Sequence, residues 1–70
     1  MKAKSFKNWN GLDVTVFSNA WGKLVYIDNG NRCIAKVAVF PDVTEVVYID
    51  YEIADENIVM AEAEEYAARL

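Results

Sequence analysis

The sequence has no histidine, and only one cysteine, one proline and three glycines among its 70 residues. Without histidine, the common serine–histidine and cysteine–histidine nucleophilic arrangements cannot be assembled, because no imidazole is present to take the nucleophile's proton. Cys33 alone cannot close an intrachain disulfide, and with neither a second thiol nor an imidazole it cannot anchor a zinc site. It lies in an alternating apolar run, where a buried and inert thiol is expected. The three glycines, Gly11, Gly22 and Gly30, are scattered, so no glycine-rich loop leads into a helix to cradle phosphates. No apolar run approaches the length of a membrane span. The lysine-bearing stretch from Met1 to Trp9 is not followed by a hydrophobic segment of signal-peptide length, so a cytoplasmic location is expected.

What is present is apolar density. Hydrophobic residues make up 54% of the chain, with two Trp, four Tyr and three Phe, a composition that excludes a disordered chain. A chain of this size buries only roughly 60% of the surface its unfolded state exposes, which suits one core and leaves no room for two lobes flanking a cleft. Residues 1–70 are therefore read as a single domain. The net charge of −4 hides a partition. Up to Lys36 six cations face only Asp13 and Asp28, whereas beyond it Arg69 is alone among nine acids. The folded molecule should be electrically polarised.

Asn10-Gly11 and Asn29-Gly30 each lie between alternating apolar stretches, the pattern of tight hairpins whose two central residues take positive φ. Around Asn29-Gly30 this pairs Ile27 with Arg32, Tyr26 with Cys33, Val25 with Ile34 and Leu24 with Ala35. The face carrying Leu24, Tyr26, Cys33, Ala35, Val37 and Val39 is then expected to be core. The opposite face would carry Lys23, Arg32 and Lys36 beside Val25, Ile27 and Ile34. Around Asn10-Gly11, Ala3–Trp9 pairs with Leu12–Ser18, and Ser18–Gly22 is read as a loop displaying Trp21. Pro41-Asp42 breaks the run after Phe40, and a further strand is expected from Glu45 to Glu52, with Tyr48, Asp50 and Glu52 on its outward side. Asp55 is read as an N-cap with Glu56 at the positive end of the helix dipole. The helix then runs towards Leu70, gathering Val59, Met60, Ala63, Tyr66, Ala67 and Leu70 on one stripe and Glu62, Glu65 and Arg69 on another.

The expected fold is thus α+β: an antiparallel meander of four to five strands with one C-terminal amphipathic helix packed on it. The second apolar face, with Val25, Ile27, Ile34, Phe40, Val46 and Tyr48, also needs cover. Either the N-terminal hairpin folds across to complete a small barrel, or a second copy packs there.

Three constellations bear on function. Asp50, Glu52, Asp55 and Glu56 form an acidic cluster, but it lacks the spacing of a calcium loop, and no lysine follows Lys36 to complete a metal-nuclease set. No metal, no cofactor and no catalysis are expected from it. Lys2, Lys4 and Lys7 interleave with Phe6 and Trp9, a pattern that suits phosphate contacts and base stacking, against a sequence pI near 4.5. Finally, carboxylates displayed on a rigid strand and helix can imitate the spaced phosphates of a nucleic acid and attract a basic cleft. In size, acidity and lack of catalytic machinery the chain is similar to small acidic proteins of phages and mobile elements that act in this way. The alternative, a nucleic-acid binder, is similar in outline to compact five-stranded chromatin proteins that also end in a helix. The leading expectation is a non-catalytic inhibitor or regulator that blocks a basic, nucleic-acid-binding site on a partner protein. Its contact residues would be Tyr48, Asp50, Glu52, Asp55, Glu56, Glu62 and Glu65. A structural homodimer is the third reading.

Overall fold

In the computed structural model, which describes residues 2–70, five strands and one helix follow one another in the expected order. The strands are β1 (Lys2–Lys7), β2 (Asp13–Ser18), β3 (Lys23–Asp28), β4 (Cys33–Val39) and β5 (Thr44–Ile49), followed by α1 (Glu56–Ala67). Each strand pairs antiparallel with the next, so the sheet is a meander in which spatial order equals chain order. The sheet does not close: β1 and β5 are its two edges, and the first hairpin continues the sheet instead of folding across it.

The helix packs on one face of the sheet, against β2, β3, β4 and β5. Val14, Val16, Val25, Ile27, Ala35 and Val37 meet Val59, Ala63, Tyr66 and Ala67 there, and all of them are buried. Directly opposed residues share a face, so β2, β3 and β4 contribute alternate positions to this layer. The helical stripe docks as its spacing predicts, with Met60 and Leu70 half-buried at its border. Fully burying a valine or isoleucine side chain contributes about 1.5–3 kcal/mol, which is how so short a chain offsets its ordering entropy.

The face assignment of β3 is the reverse of expectation, and the reason is local. Neither Asn10 nor Asn29 has positive φ; only Gly11 and Gly30 do, at 81° and 94°. The two-residue turn is therefore not formed. The Asn29 side-chain oxygen instead accepts from the backbone N–H of Asn31 and Arg32, holding four residues in a loop that closes on Asp28 opposite Cys33. One residue later the register slips again, because Ile34 is the extra residue of a bulge between the Asp28–Cys33 and Ile27–Ala35 pairs. Together these displace the pairing by three positions, so that Tyr26 opposes Lys36 instead of Cys33. An odd displacement exchanges the faces of one strand relative to the other. Val25 and Ile27 become core while Leu24 and Tyr26 turn outward, yet Ala35 and Val37 stay in.

The same exchange separates Lys23, Arg32 and Lys36, which were expected on one face. Lys23 reaches the helix, Arg32 sits in the loop, and Lys36 lies outward over Tyr26. In β5 a second bulge at Val47 places both Val46 and Ile49 towards the helix, and the strand ends at Ile49, three residues short of expectation. It ends there because the carbonyl of Asp50 accepts from Ile53 and Ala54 in a turn.

Candidate functional site

Because the sheet is a meander, alternate connections gather at alternate ends. The loops 8–12, 29–32 and 50–55 meet at one end, together with the start of α1. Each is held by a side-chain oxygen. Asn8 is buried, and its Oδ1 accepts from the backbone N–H of both Asn10 and Leu12 at 2.9 Å. Its amide nitrogen donates to the Glu62 carboxylate at 3.2–3.3 Å, tying the first turn to the helix. Asp50 is buried too; it accepts from the Glu52 N–H at 3.1 Å and pairs with the Arg32 guanidinium. Asp55 caps the helix by accepting from the Ile58 N–H at 3.1 Å, as expected from the sequence.

Between these anchored loops lies an open groove of about 200 Å³, floored by Ile27, Ile34 and Val59 and bordered by Trp9, Ile53 and Ile58. Its border is apolar and in water: Trp9 is 87% exposed, Ile58 69% and Ile53 48%. Tyr51, in the adjoining loop, is 68% exposed. Asp55 and Glu62 line the groove, Glu52 and Glu56 adjoin it in the chain, and no lysine or arginine is among its lining residues.

The expected contact residues are thus brought together in part. Asp50, Glu52, Asp55, Glu56 and Glu62 converge on this end, while Tyr48 lies on the opposite side of the sheet and Glu65 pairs with Arg69 at 2.6 Å beside Phe6 and Tyr66. The expectation that Asp50 points outward in an uninterrupted negative field is corrected. Arg32, brought round by its loop, stands between Asp50 and Glu52 and neutralises part of the cluster. Sequence spacing could not show this, since Arg32 was assigned to a strand. Among the described residues no three His, Cys, Asp or Glu side chains are placed to share a metal ion.

The lysine arm does not form one stripe. Strand alternation puts Lys2 and Lys4 on one side of β1 and Lys7 on the other, where Lys7 pairs with Asp13 at 2.7 Å. Phe6 is packed against Tyr66 with ring centroids 5.3 Å apart, and so is not free to stack on a base.

Sequence reasoning missed Asn8 and the apolar border of the groove. An Asn two residues before an Asn-Gly pair is a weak signal of a side-chain-held turn, and Trp9 was assigned to the lysine arm. No helix among the described residues is long and apolar enough to cross a membrane. Compared with protein-family models, with curated proteins and with solved structures, the chain matches none of them.

Proposed function

We propose that the chain is a non-catalytic protein-binding domain that docks, through the Trp9–Ile53–Ile58 groove and its acidic surround, on a basic surface of a partner protein. The observation that carries this reading is the exposure of large apolar side chains around one groove with carboxylates and no cation along its lining. Trp is the residue type most often found at the energetic centre of interfaces, and surrounding charges steer the encounter and select the partner's sign. An occupant with basic side chains flanking an apolar anchor matches both features. A partner whose basic site serves nucleic acid would be blocked by such docking, because Glu52, Asp55 and Glu56 would take up positions otherwise available to phosphates.

The test is an NMR titration of the isotope-labelled protein with an amphipathic helical peptide of leucine and lysine. Saturable shifts at Trp9, Ile53 and Ile58, weakened by salt, are the expected result. Trp9→Ala should weaken binding by at least roughly thirtyfold, corresponding to about 2 kcal/mol. Glu52→Lys with Glu56→Lys should weaken it further and flatten its salt dependence; Glu62 is left alone because it holds Asn8. Shifts that never saturate, or that map to β1 and appear equally with a single-stranded oligonucleotide, would defeat the proposal.

A further inference from the structure

The face of the sheet turned away from the helix has no covering element among the described residues, and across its middle it carries large apolar and aromatic side chains bordered by charged ones. The register places Phe17 and Leu24 opposite one another, and Tyr26, Lys36 and Tyr48 side by side across β3, β4 and β5. Phe17 and Tyr26 contact edge to face with centroids 5.4 Å apart, and the Lys36 ammonium lies 5.5 Å from the Tyr26 ring centre. Small residues flank these large side chains along the same cross-strand rows: Ala3 beside Phe17, Ala38 beside Leu24, and Ser5 and Thr15 beside Tyr26.

We infer that this face is the interface of a homodimer, in which a second copy of the chain packs its own open sheet face against it. Three features select a second copy over other occupants. Extent comes first. Five strands about 4.8 Å apart, each of about six residues rising about 3.3 Å, present roughly 24 by 20 Å. Two such faces together bury on the order of 1,000 Å², the lower bound for a biological interface and the size of a weak, concentration-dependent one. Shape is the second: large rings beside small residues on one surface can interdigitate with the same pattern on a copy, at the roughly 10 Å spacing of packed sheets. Charge is the third. Lys7 and Lys36 stand on this face with Asp13, Asp28 and Glu45, so it is close to neutral and does not favour a polyanion.

The sheet edges do not compete for the second copy, since β1 carries three lysines and β5 is bulged at Val47. The groove lies on the helix side, so face-to-face pairing leaves both grooves of the assembly open. A homodimer would therefore offer its partner two docking sites.

Sedimentation equilibrium of the full chain up to millimolar concentration tests the inference. A mass approaching twice the chain's 7.9 kDa is expected. Tyr26→Glu should weaken the association at least roughly thirtyfold, as for a central interface aromatic, while far-UV circular dichroism stays that of the parent. A mixed sample of labelled and unlabelled chains supplies a measurement free of substitution: intermolecular NOEs between Tyr26 or Phe17 and Ala3 or Ala38 are expected. A monomeric mass throughout, a dimer whose intermolecular NOEs map to β1, β5 or the helix, or binding of an oligonucleotide at this face by a monomer would overturn it.

Discussion

The two ends of the molecule differ in how many side-chain oxygens hold them and in how they meet the ends of the helix. At the groove end, oxygen atoms of Asn8, Asp28, Asn29, Asp50 and Asp55 accept from backbone N–H groups of the turns and of the helix start. At the far end, Asn19 alone does this for the 19–22 loop, and the helix finishes without a basic residue in its last turn. Its terminal carbonyl is met from across the chain by Lys23, whose ammonium donates to Ala67 at 2.6 Å. Side-chain oxygens collect where N–H groups are spare, and a cation lies where a carbonyl is spare. The acidity of the groove end is thus partly structural. Asp50 and Asp55 are committed to turns, whereas Glu56 stays outward in solvent and Glu52, also exposed, meets Arg32 at 3.5 Å.

The largest effect that separates the ends is expected at Asn8. Replacing it with alanine strands the N–H groups of Asn10 and Leu12 and releases Glu62, in a buried position. Leaving a buried donor unsatisfied costs about 1–3 kcal/mol, so a loss of about 2–3 kcal/mol is expected on urea unfolding. Asn8→Asp discriminates further: it keeps the acceptor for both N–H groups but sets a second carboxylate against Glu62. If Asn8→Ala unfolds at the parent's midpoint, the turn is held by Gly11 alone and the contrast between the ends fails.

The pattern of the sequence carries the element order, the helix with its Asp55 cap and its buried stripe, and the Glu65–Arg69 pair. These depend on spacing within a few residues. What it does not carry is register. Two bulges, at Ile34 and at Val47, each insert one residue, and a bulged strand shows no compositional mark in runs where both neighbours are apolar. Ile34-Ala35 is such a run, with both side chains buried. Once the register slips, the identity of the open face changes, so Leu24 and Tyr26 pass from expected core to outward positions. The candidate site suffers for the same reason. Arg32 reaches Asp50 only because the loop after Asp28 is two residues longer than a tight turn. The acids of the groove end are local in sequence and were legible; the apolar border joins Trp9 to the distant Ile53 and Ile58 and was not.

A smaller effect is expected at the far end. Lys23→Met keeps an apolar stem alongside the helix but removes the donor to Ala67. A charge-assisted contact at a helix terminus contributes about 1 kcal/mol. For a domain of this length, that lowers Tm by about 4–8 °C. Calorimetry of Lys23→Met at low and high salt should show the difference from the parent shrinking as salt rises. A difference independent of salt would mean that the stem, and not the charge, holds the helix end.

The smallest effect belongs to Glu65 and Arg69, which pair in the favourable order one helical turn apart with both side chains open to solvent. Exposed pairs of this kind couple by about 0.3–0.5 kcal/mol. Arg69 also lies over the Tyr66 ring, 4.5 Å from its centre, and that contact survives when only Glu65 is changed. In a double-mutant cycle, Arg69→Ala should therefore cost more than Glu65→Ala, and the excess should shrink in a Tyr66→Leu background, where only the longer contact with Phe6 remains. An equal cost for the two single substitutions would place Arg69 with the solvated charges and leave the helix C-terminal region with Lys23 as its one effective cation.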